Sequence, residues 1–483
     1  MSRANGSPPV HLFLATGLSF ALAGCAVGPD YVAPDPALPG DWTSYAEPQN
    51  GEARLEHLAD WWTLFGDPTL NDLIERAIAA NPDRDLALAR VREARARFRV
   101  TRAESYPAVS ASVSSSKVEN SDLSGESEWR DVYDAGIDAS WELDIFGGNK
   151  RSVEVAEAVI EARQADYADV MTSLVAEVAL TYVDMRTLEE RLRLTRASVD
   201  AQEETFDLTR WRTEAGLTTA LDVEQSRANL ESTRAQIPAL ERDFAQSRNK
   251  LAFLLGETPG DFEARGITPA AIPAAPANLA IGVPADMLRR RNDIRSAERE
   301  LAAQSARIGL ATASLYPSFR LTGSVSSSST NFSGLFDSSA VTTSLVRGIS
   351  APIFNFGQLR ANVEAEDALY EQSLSVYKKT ILNALREVED ALAARAAAAK
   401  SASLLQDAVE AATSVRDLAT QEYEAGLSGF IEVLDAQRTL LSLQEQHALN
   451  RSAETGAMIS LYKAAGGGWS AAPQDTDSNG ENP

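Results

Sequence analysis

Few residues in this chain could carry covalent or metal chemistry. There is one cysteine, Cys25, and there are three histidines, His11, His57 and His447. A single cysteine forms no intramolecular disulfide. The histidines are far apart in sequence, and no Cys/His cluster at metal-ligand spacing is present. No nucleophile, base and orienting group stand together in a recognisable pattern, so the sequence points away from an enzyme. The expectation is a protein with no cofactor apart from a covalent group on Cys25.

Cys25 has a telling context. Residues 12–23 read LFLATGLSFALA, an apolar run after a short polar start holding Arg3. A membrane helix needs about 20 apolar residues, whereas this length suits a signal-peptide core. The core ends in Leu22-Ala23-Gly24-Cys25, a small pair directly before cysteine, which resembles a bacterial lipobox. Cleavage after a 1–24 signal peptide would leave the Cys25 thiol to carry lipid. Ala26 rather than Asp follows, which by resemblance to sorted lipoproteins favours the outer membrane. A Pro-rich stretch from Asp30 to Gly40 then reads as a tether, within an N-terminal segment 25–66.

The rest of the chain is a duplication in one fixed register. Tyr106-Pro107 returns as Tyr316-Pro317, Phe146-Gly147 as Phe356-Gly357, and Glu177-Val178 as Glu387-Val388. Glu214-Ala215-Gly216-Leu217 returns as Glu424-Ala425-Gly426-Leu427, and Gly256 as Gly466. One register held this long is not chance. It gives a first repeat 67–256, a Pro-rich linker 257–284, a second repeat 285–466 and a tail 467–483 expected to be disordered.

Each repeat reads as helix, β-hairpin and a pair of long helices. A first helix is expected over 69–104, capped by Asp67 with Pro68 in its first turn. The hairpins fall at 108–145 and 318–355. Neither 149–215 nor 358–425 contains Gly or Pro. At about 1.5 Å per residue each would span on the order of 100 Å. Apolar residues recur in steps of three and four, at Leu174, Val178, Met185, Leu188, Leu192 and Val199, and at Leu374, Tyr377, Ile381, Leu385, Val388 and Leu392. That spacing suits helices packed side by side. Gly216 and Gly426 end these helices, and return helices lead to Gly256 and Gly466. Pro238 should bend the first return helix, whereas its counterpart is Ala448.

Between the helices, residues 133–145 alternate. Tyr133, Ala135, Ile137, Ala139, Trp141, Leu143 and Ile145 share one face; Asp134, Gly136, Asp138, Ser140, Glu142 and Asp144 share the other. Apolar on one side and acidic on the other suits a barrel wall between lipid and water. The last strand carries Leu345, Ile349 and Ile353, but Arg347 falls on the same face; either it sits at an interface or a bulge shifts the register. Four strands do not close a barrel, since about eight is the small end. Several copies must contribute, and a homotrimer with twelve strands is the economical solution. Net charge is −24, so no nucleic-acid partner is expected.

This arrangement resembles the TolC-like outer-membrane efflux protein family, and within it the lipoprotein branch paired with RND pumps. The resemblance rests on Trp61-Trp62, Phe65, Asp67-Pro68 and Leu70 near the start. It rests also on Tyr106-Pro107 and Tyr316-Pro317, on Gly426 through Arg438, and on the run from Leu461 to Trp469. It covers nearly the whole chain after Cys25. The resemblance implies an α+β membrane protein: a trimer with a 12-stranded β-barrel, four strands per chain, continued by a long α-helical periplasmic barrel. It implies a periplasmic adaptor docking on the helix-turn tips at Gly216, Leu217, Gly426 and Leu427, and an inner-membrane RND transporter that supplies energy. It also implies a periplasmic gate at Ile431, Asp435 and Arg438. These three lie at i, i+4 and i+7, on one helical face. The first repeat has Leu221, Gln225 and Ala228 there, so a charged ring is expected in the second tip alone. The same architecture with another pump would serve secreted polypeptides.

The lipobox has a direct test. Metabolic labelling with palmitate should mark the wild-type protein and not Cys25→Ser; label persisting on the variant would remove the lipid anchor.

Overall fold

The computed structural model of this chain describes residues 26–35, 42–43, 58–121, 127–276 and 288–468. Cys25 and the signal segment 1–24 lie outside the described residues. The chain divides into two compact units. One comprises Met1–Asp35, Arg90–Gln164 and Ser296–Lys378; the other comprises Pro36–Ala89, Ala165–Arg295 and Lys379–Pro483.

The first unit holds the sheet. Strands β1 (Ala108–Ser121), β2 (Ser127–Leu143), β3 (Ser318–Ser329) and β4 (Val341–Ser350) form one antiparallel sheet in the order β1-β2-β3-β4. The two hairpins of the duplication are thus joined through β2 and β3, with Ile137 opposite Val325 and Trp141 opposite Leu321. Strands extend further toward the hairpin turns than the alternation suggested and stop sooner at the other end: Ile145 and Ile353 fall outside them. The pairing from Ser318↔Ser350 to Ser327↔Val341 is unbroken, so no bulge rescues Arg347.

Most of each face of the sheet is open. Val113, Ile137, Leu345 and Ile349 share one face and are all exposed. The other face carries Ser110, Ser112 and Ser114 opposite Asp138, Gly136 and Asp134, and Arg320 meets Glu142 at 3.3 Å. A sandwich would bury one of these faces; among the described residues only the short turn Phe332–Phe336 lies on the apolar one, at its hairpin end, against Tyr133 and Ser327.

The helices show the duplication in their geometry, and the contacts that repeat with it lie in the second unit. Helices α1 (Pro68–Ala80) and α2 (Pro82–Ala103) replace the single helix expected over 69–104. Pro82 causes the break. The residue before proline is pushed out of the helical region, and Asn81 sits at ψ 129°. Asn81 then caps α2, its Oδ1 accepting from the amides of Asp83 (2.8 Å) and Arg84 (3.3 Å).

Helix α3 (Gly148–Glu214) and its counterpart α8 (Gln358–Glu424) each run 67 residues. The first return helix is split into α4 (Ala220–Arg234) and α5 (Ile237–Leu254), with Pro238 in the first turn of α5. The second return helix, α9 (Phe430–Ala464), is continuous across Ala448. The linker is not all irregular: α6 (Pro259–Arg265) lies in it, capped by Thr258. Helix α7 (Asn292–Ala313) is the counterpart of α2 in the second repeat. Among the described residues no helix is long and apolar enough to cross a membrane.

Repeated contacts hold this unit. Asn81 Nδ2 donates to Leu254 O (2.8 Å), and at the matching place of the second repeat Arg291 Nη1 donates to Ala464 O (3.1 Å). Gly256 abuts Ala80 O, where an added Cβ would stand 2.4 Å from it; Gly466 makes the matching approach to Arg290 O. The two ends of the chain's folded part meet in one core. Trp61 is fully buried and stacks on Tyr462 at 5.4 Å. Gly468 N donates to Leu58 O (2.7 Å). Gly467 and Gly468, expected in a disordered tail, are therefore packed, because the Trp61 core needs them; residues 469–483 lie outside the described residues. Asp67 caps α1 at Thr69 N (2.8 Å) and also accepts from Tyr182 Oη (2.6 Å).

One carboxylate in this unit is out of balance. Desolvation first, and repulsion from Asp293 second, push the Asp169 carboxyl up to about 6 against the pull of Lys463 and Arg291. The folded state therefore binds this proton more tightly than the unfolded chain. The associated stability is complete below the ordinary carboxylate pKa near 4 and is lost as pH rises through about 6. Asp169→Asn should raise the melting temperature at pH 7.5, by a gain of at most about 2 kcal/mol at this partly buried site. The gain should vanish near pH 4; an equal shift at both pH values would contradict this assignment.

Candidate functional site: the helix-turn tips and the strand-helix rim

Two places in the fold bring together the sequence-predicted site residues. The first is the pair of tips in the second unit. Helix α3 ends with Gly216 at φ +74°, where Leu217 N bonds Arg212 O (2.8 Å) and Gly216 N bonds Thr213 O (2.9 Å). Helix α8 ends identically: Gly426 is at φ +77°, Leu427 N bonds Glu422 O (2.8 Å) and Gly426 N bonds Tyr423 O (3.0 Å). This paired closure needs a left-handed residue, which is why glycine stands at both positions. It leaves Leu217 and Leu427 at the apex, 68% and 80% exposed.

Beyond the glycines the tips differ. Thr219 and Asp222 form a reciprocal cap at the start of α4, and Thr213 and Thr218 hydroxyls meet at 2.7 Å. In the second tip Gly429 begins α9 with no side-chain cap, and the Ser428 hydroxyl is buried without a hydrogen-bond partner. A clamp from the first repeat takes over. Arg212 Nη1 donates to the last-turn carbonyls of Tyr423 and Glu424, and its guanidinium lies 4.7 Å over the Tyr423 ring. Cations are favoured at a helix C-terminus, and here the cation comes from the neighbouring helix. Tyr423 Oη donates to Thr209 Oγ1 (3.1 Å) and packs with Phe430, Val433 and Leu434.

Ile431, Asp435 and Arg438 share an exposed face of α9, opposite buried Val433, Leu434, Ala436 and Gln437. Asp435 and Arg438 do not pair with each other. Arg438 Nε instead donates to Asn229 Oδ1 on α4 (2.7 Å), and Gln437 Nε2 donates to Thr205 Oγ1 on α3 (2.9 Å). Asp435 has no ion-pair partner among the described residues. Leu221 and Ala228, at the matching places of the first tip, are exposed, with Gln225 half-buried between them. The clamp residues Arg212, Asn229, Gln437 and Tyr423 were not read from the sequence. Arg212 near a helix end is a weak signal, and its partners lie in the other repeat.

The second place is one end of the sheet, in the first unit. All four strands join their helices there. Val27 N donates to Phe146 O (3.0 Å), and Ala26 lies against Gly147. Buried Arg151 fixes the segment, with Nε donating to Val27 O (3.2 Å) and Nη2 to Asp30 (2.9 Å). Farther along, Tyr31 Oη donates to Glu298 (2.5 Å). Part of the expected tether is therefore strapped down, and the residue after Cys25 stands at the strand-helix junctions. Phe146 stacks on Tyr316 at 4.7 Å at this end, whereas Tyr133 and Phe332 meet edge to face at the other. Among the described residues no group of His, Cys, Asp and Glu has the geometry of a metal site.

Comparison with known proteins agrees with this geometry. The outer membrane efflux protein family (OEP) matches residues 73–257 and 283–467. The chain is 32% identical over 468 residues to the toluene efflux pump outer membrane protein TtgF of Pseudomonas putida, covering 95% of this chain and 97% of that one. It is 35% identical over 456 residues to the solvent efflux pump outer membrane protein SrpC, also of Pseudomonas putida, covering 93% and 96%. Its fold matches the outer-membrane channel OprN with a TM-score of 0.87 at 33% identity, over 92% of this chain and all of that one.

Proposed function

The chain belongs to the outer membrane efflux protein family, and we propose that it works as three copies closing one barrel above one helical conduit. It is an outer-membrane efflux channel subunit with a TolC-like fold. The observation that carries the trimer is the sheet itself. Four strands with one apolar and one Ser/Asp face, and two edges without partners among the described residues, complete their hydrogen bonds only with further copies.

The channel holds no catalytic machinery in this reading and needs no cofactor. Cys25 carries the lipid that anchors each copy to the outer membrane, beside the strand-helix junctions where Ala26 sits. A periplasmic adaptor grips the exposed Leu217 and Leu427 at the tips, and an inner-membrane RND transporter drives export through the adaptor. The relatives' toluene and solvents suggest small apolar toxic compounds as cargo.

The gate lies in the second tip. Three copies of Asp435 would ring the axis with negative charge, which repels itself unless offset by cations. Arg438 holds α9 to α4 through Asn229, so the same helix carries both the ring and a latch. Opening swings α9 away from α4 and lengthens that hydrogen bond.

Single-channel recording in planar bilayers tests this. Asp435→Ala and Arg438→Ala should each raise conductance several-fold over wild type. Unchanged conductance would remove the gate, and an Asp435→Ala, Arg438→Ala double variant that never conducts would remove the channel.

A further inference from the structure

Arg347 breaks the pattern of the sheet. The unbroken register places it opposite Leu321, on the face that carries Trp141, Phe319, Leu345 and Ile349. It is exposed, and among the described residues it has no hydrogen-bond or ion-pair partner. Arg320, on the other face, has its carboxylate in Glu142 at 3.3 Å. Arg347 therefore projects from an apolar surface with nothing to neutralise it.

Its depth is informative. Arg347 is close to the end of β4 at Ser350. At about 3.4 Å per residue that is roughly 10 Å from the rim where the strands join their helices. Trp141 lies on the same cross-strand row, two strands away, and its Nε1 donates to Ser105 O (3.0 Å) beyond the strand end. The stacked Phe146 and Tyr316 and the strap that begins at Ala26 mark the same rim. Amphipathic rings gather where a bilayer meets water, and an arginine near that level lays its stem on apolar neighbours while its head reaches the interface.

A second copy does not supply a counter-charge. The edge that would lie against β4 is β1, whose opening run, AVSASVSSSK, includes no acidic residue. The protein as a whole carries a net charge of −24, which repels anionic molecules in general, so an anion held here needs a local cation.

We propose that Arg347 binds the phosphate of a phospholipid headgroup in the periplasmic leaflet of the outer membrane. Each copy holds one lipid, whose acyl chains lie along Leu345, Leu321 and Val325. The guanidinium presents paired N–H donors that match two phosphate oxygens. The site sits in the leaflet that the Cys25 lipid would enter, and it adds a second, non-covalent attachment. The inference rests on the outer-membrane channel reading, because only that reading puts lipid on this face.

Native mass spectrometry of the detergent-solubilised protein tests it, with phosphatidylglycerol, diacylglycerol and free glycerol 3-phosphate as separate probes. Wild-type trimer should retain up to three phosphatidylglycerols and little diacylglycerol or glycerol phosphate. Arg347→Gln should lower phosphatidylglycerol retention at least fivefold, and Arg347→Lys should restore part of it. Equal retention by wild type and Arg347→Gln would overturn the site. Diacylglycerol held as well as phosphatidylglycerol would reduce it to apolar contact, and glycerol phosphate held equally would make it a soluble-anion site; either result overturns the lipid assignment. If Arg347→Gln does not assemble, the wild-type comparison of the three probes decides alone. Wild-type protein that forms no trimer would instead count against the channel reading.

Discussion

The two open edges of the β1–β4 sheet are the constraint on which the rest of the protein depends. A strand edge presents a row of unpaired amides and carbonyls, and in hydrocarbon each unsatisfied group costs several kcal/mol. The face bearing Val113, Ile137, Leu345 and Ile349 is built for hydrocarbon, yet the sheet that displays it stops at four strands. Joining β4 of one copy to β1 of the next satisfies both edges at once. Repeating the step around an axis closes a barrel with its Ser/Asp face inward. The same symmetry sets the helices that follow the strands around a common axis. The conduit is therefore a property of the assembly, and the single chain supplies a segment of wall.

The duplication explains why one chain supplies two nearly equivalent segments. Helix ends, return helices and close glycine contacts recur at matching places in the two repeats, even where the residues differ: Asn81 reaches Leu254 O, and Arg291 reaches Ala464 O. The departures from the repeat lie in the first return helix, which is split at Pro238, and at the tips. The first tip closes its turn with its own Thr219–Asp222 cap. The second lacks a side-chain cap and borrows Arg212 from the first. The charged residues Asp435 and Arg438 occupy that more dependent tip.

Much of this was legible in the residues, because it rests on local rules. Glycine at a left-handed cap, proline at a helix break, the absence of both across the long helices and strict alternation in β2 are all local signals. What escaped depends on distant partners or on competition between signals. The helical period running through 69–104 hid the break at Pro82, although proline itself was visible. The turn at Pro259–Arg265 was masked by the prolines around it, one of which starts it. The packing of Gly467 and Gly468 follows from Trp61, near the opposite end of the chain, and the Arg212 clamp from a carbonyl in the other repeat. Arg347 was legible as an exception, but only the register showed that no bulge removes it.

The claim on which everything turns is that closure takes three copies, and the mass of the solubilised particle tests it most directly. Native mass spectrometry of the purified protein, released gently from detergent, should show one dominant species of three chains, with no stable monomer or dimer. A dominant monomer, or an assembly of two or four chains, would contradict the account.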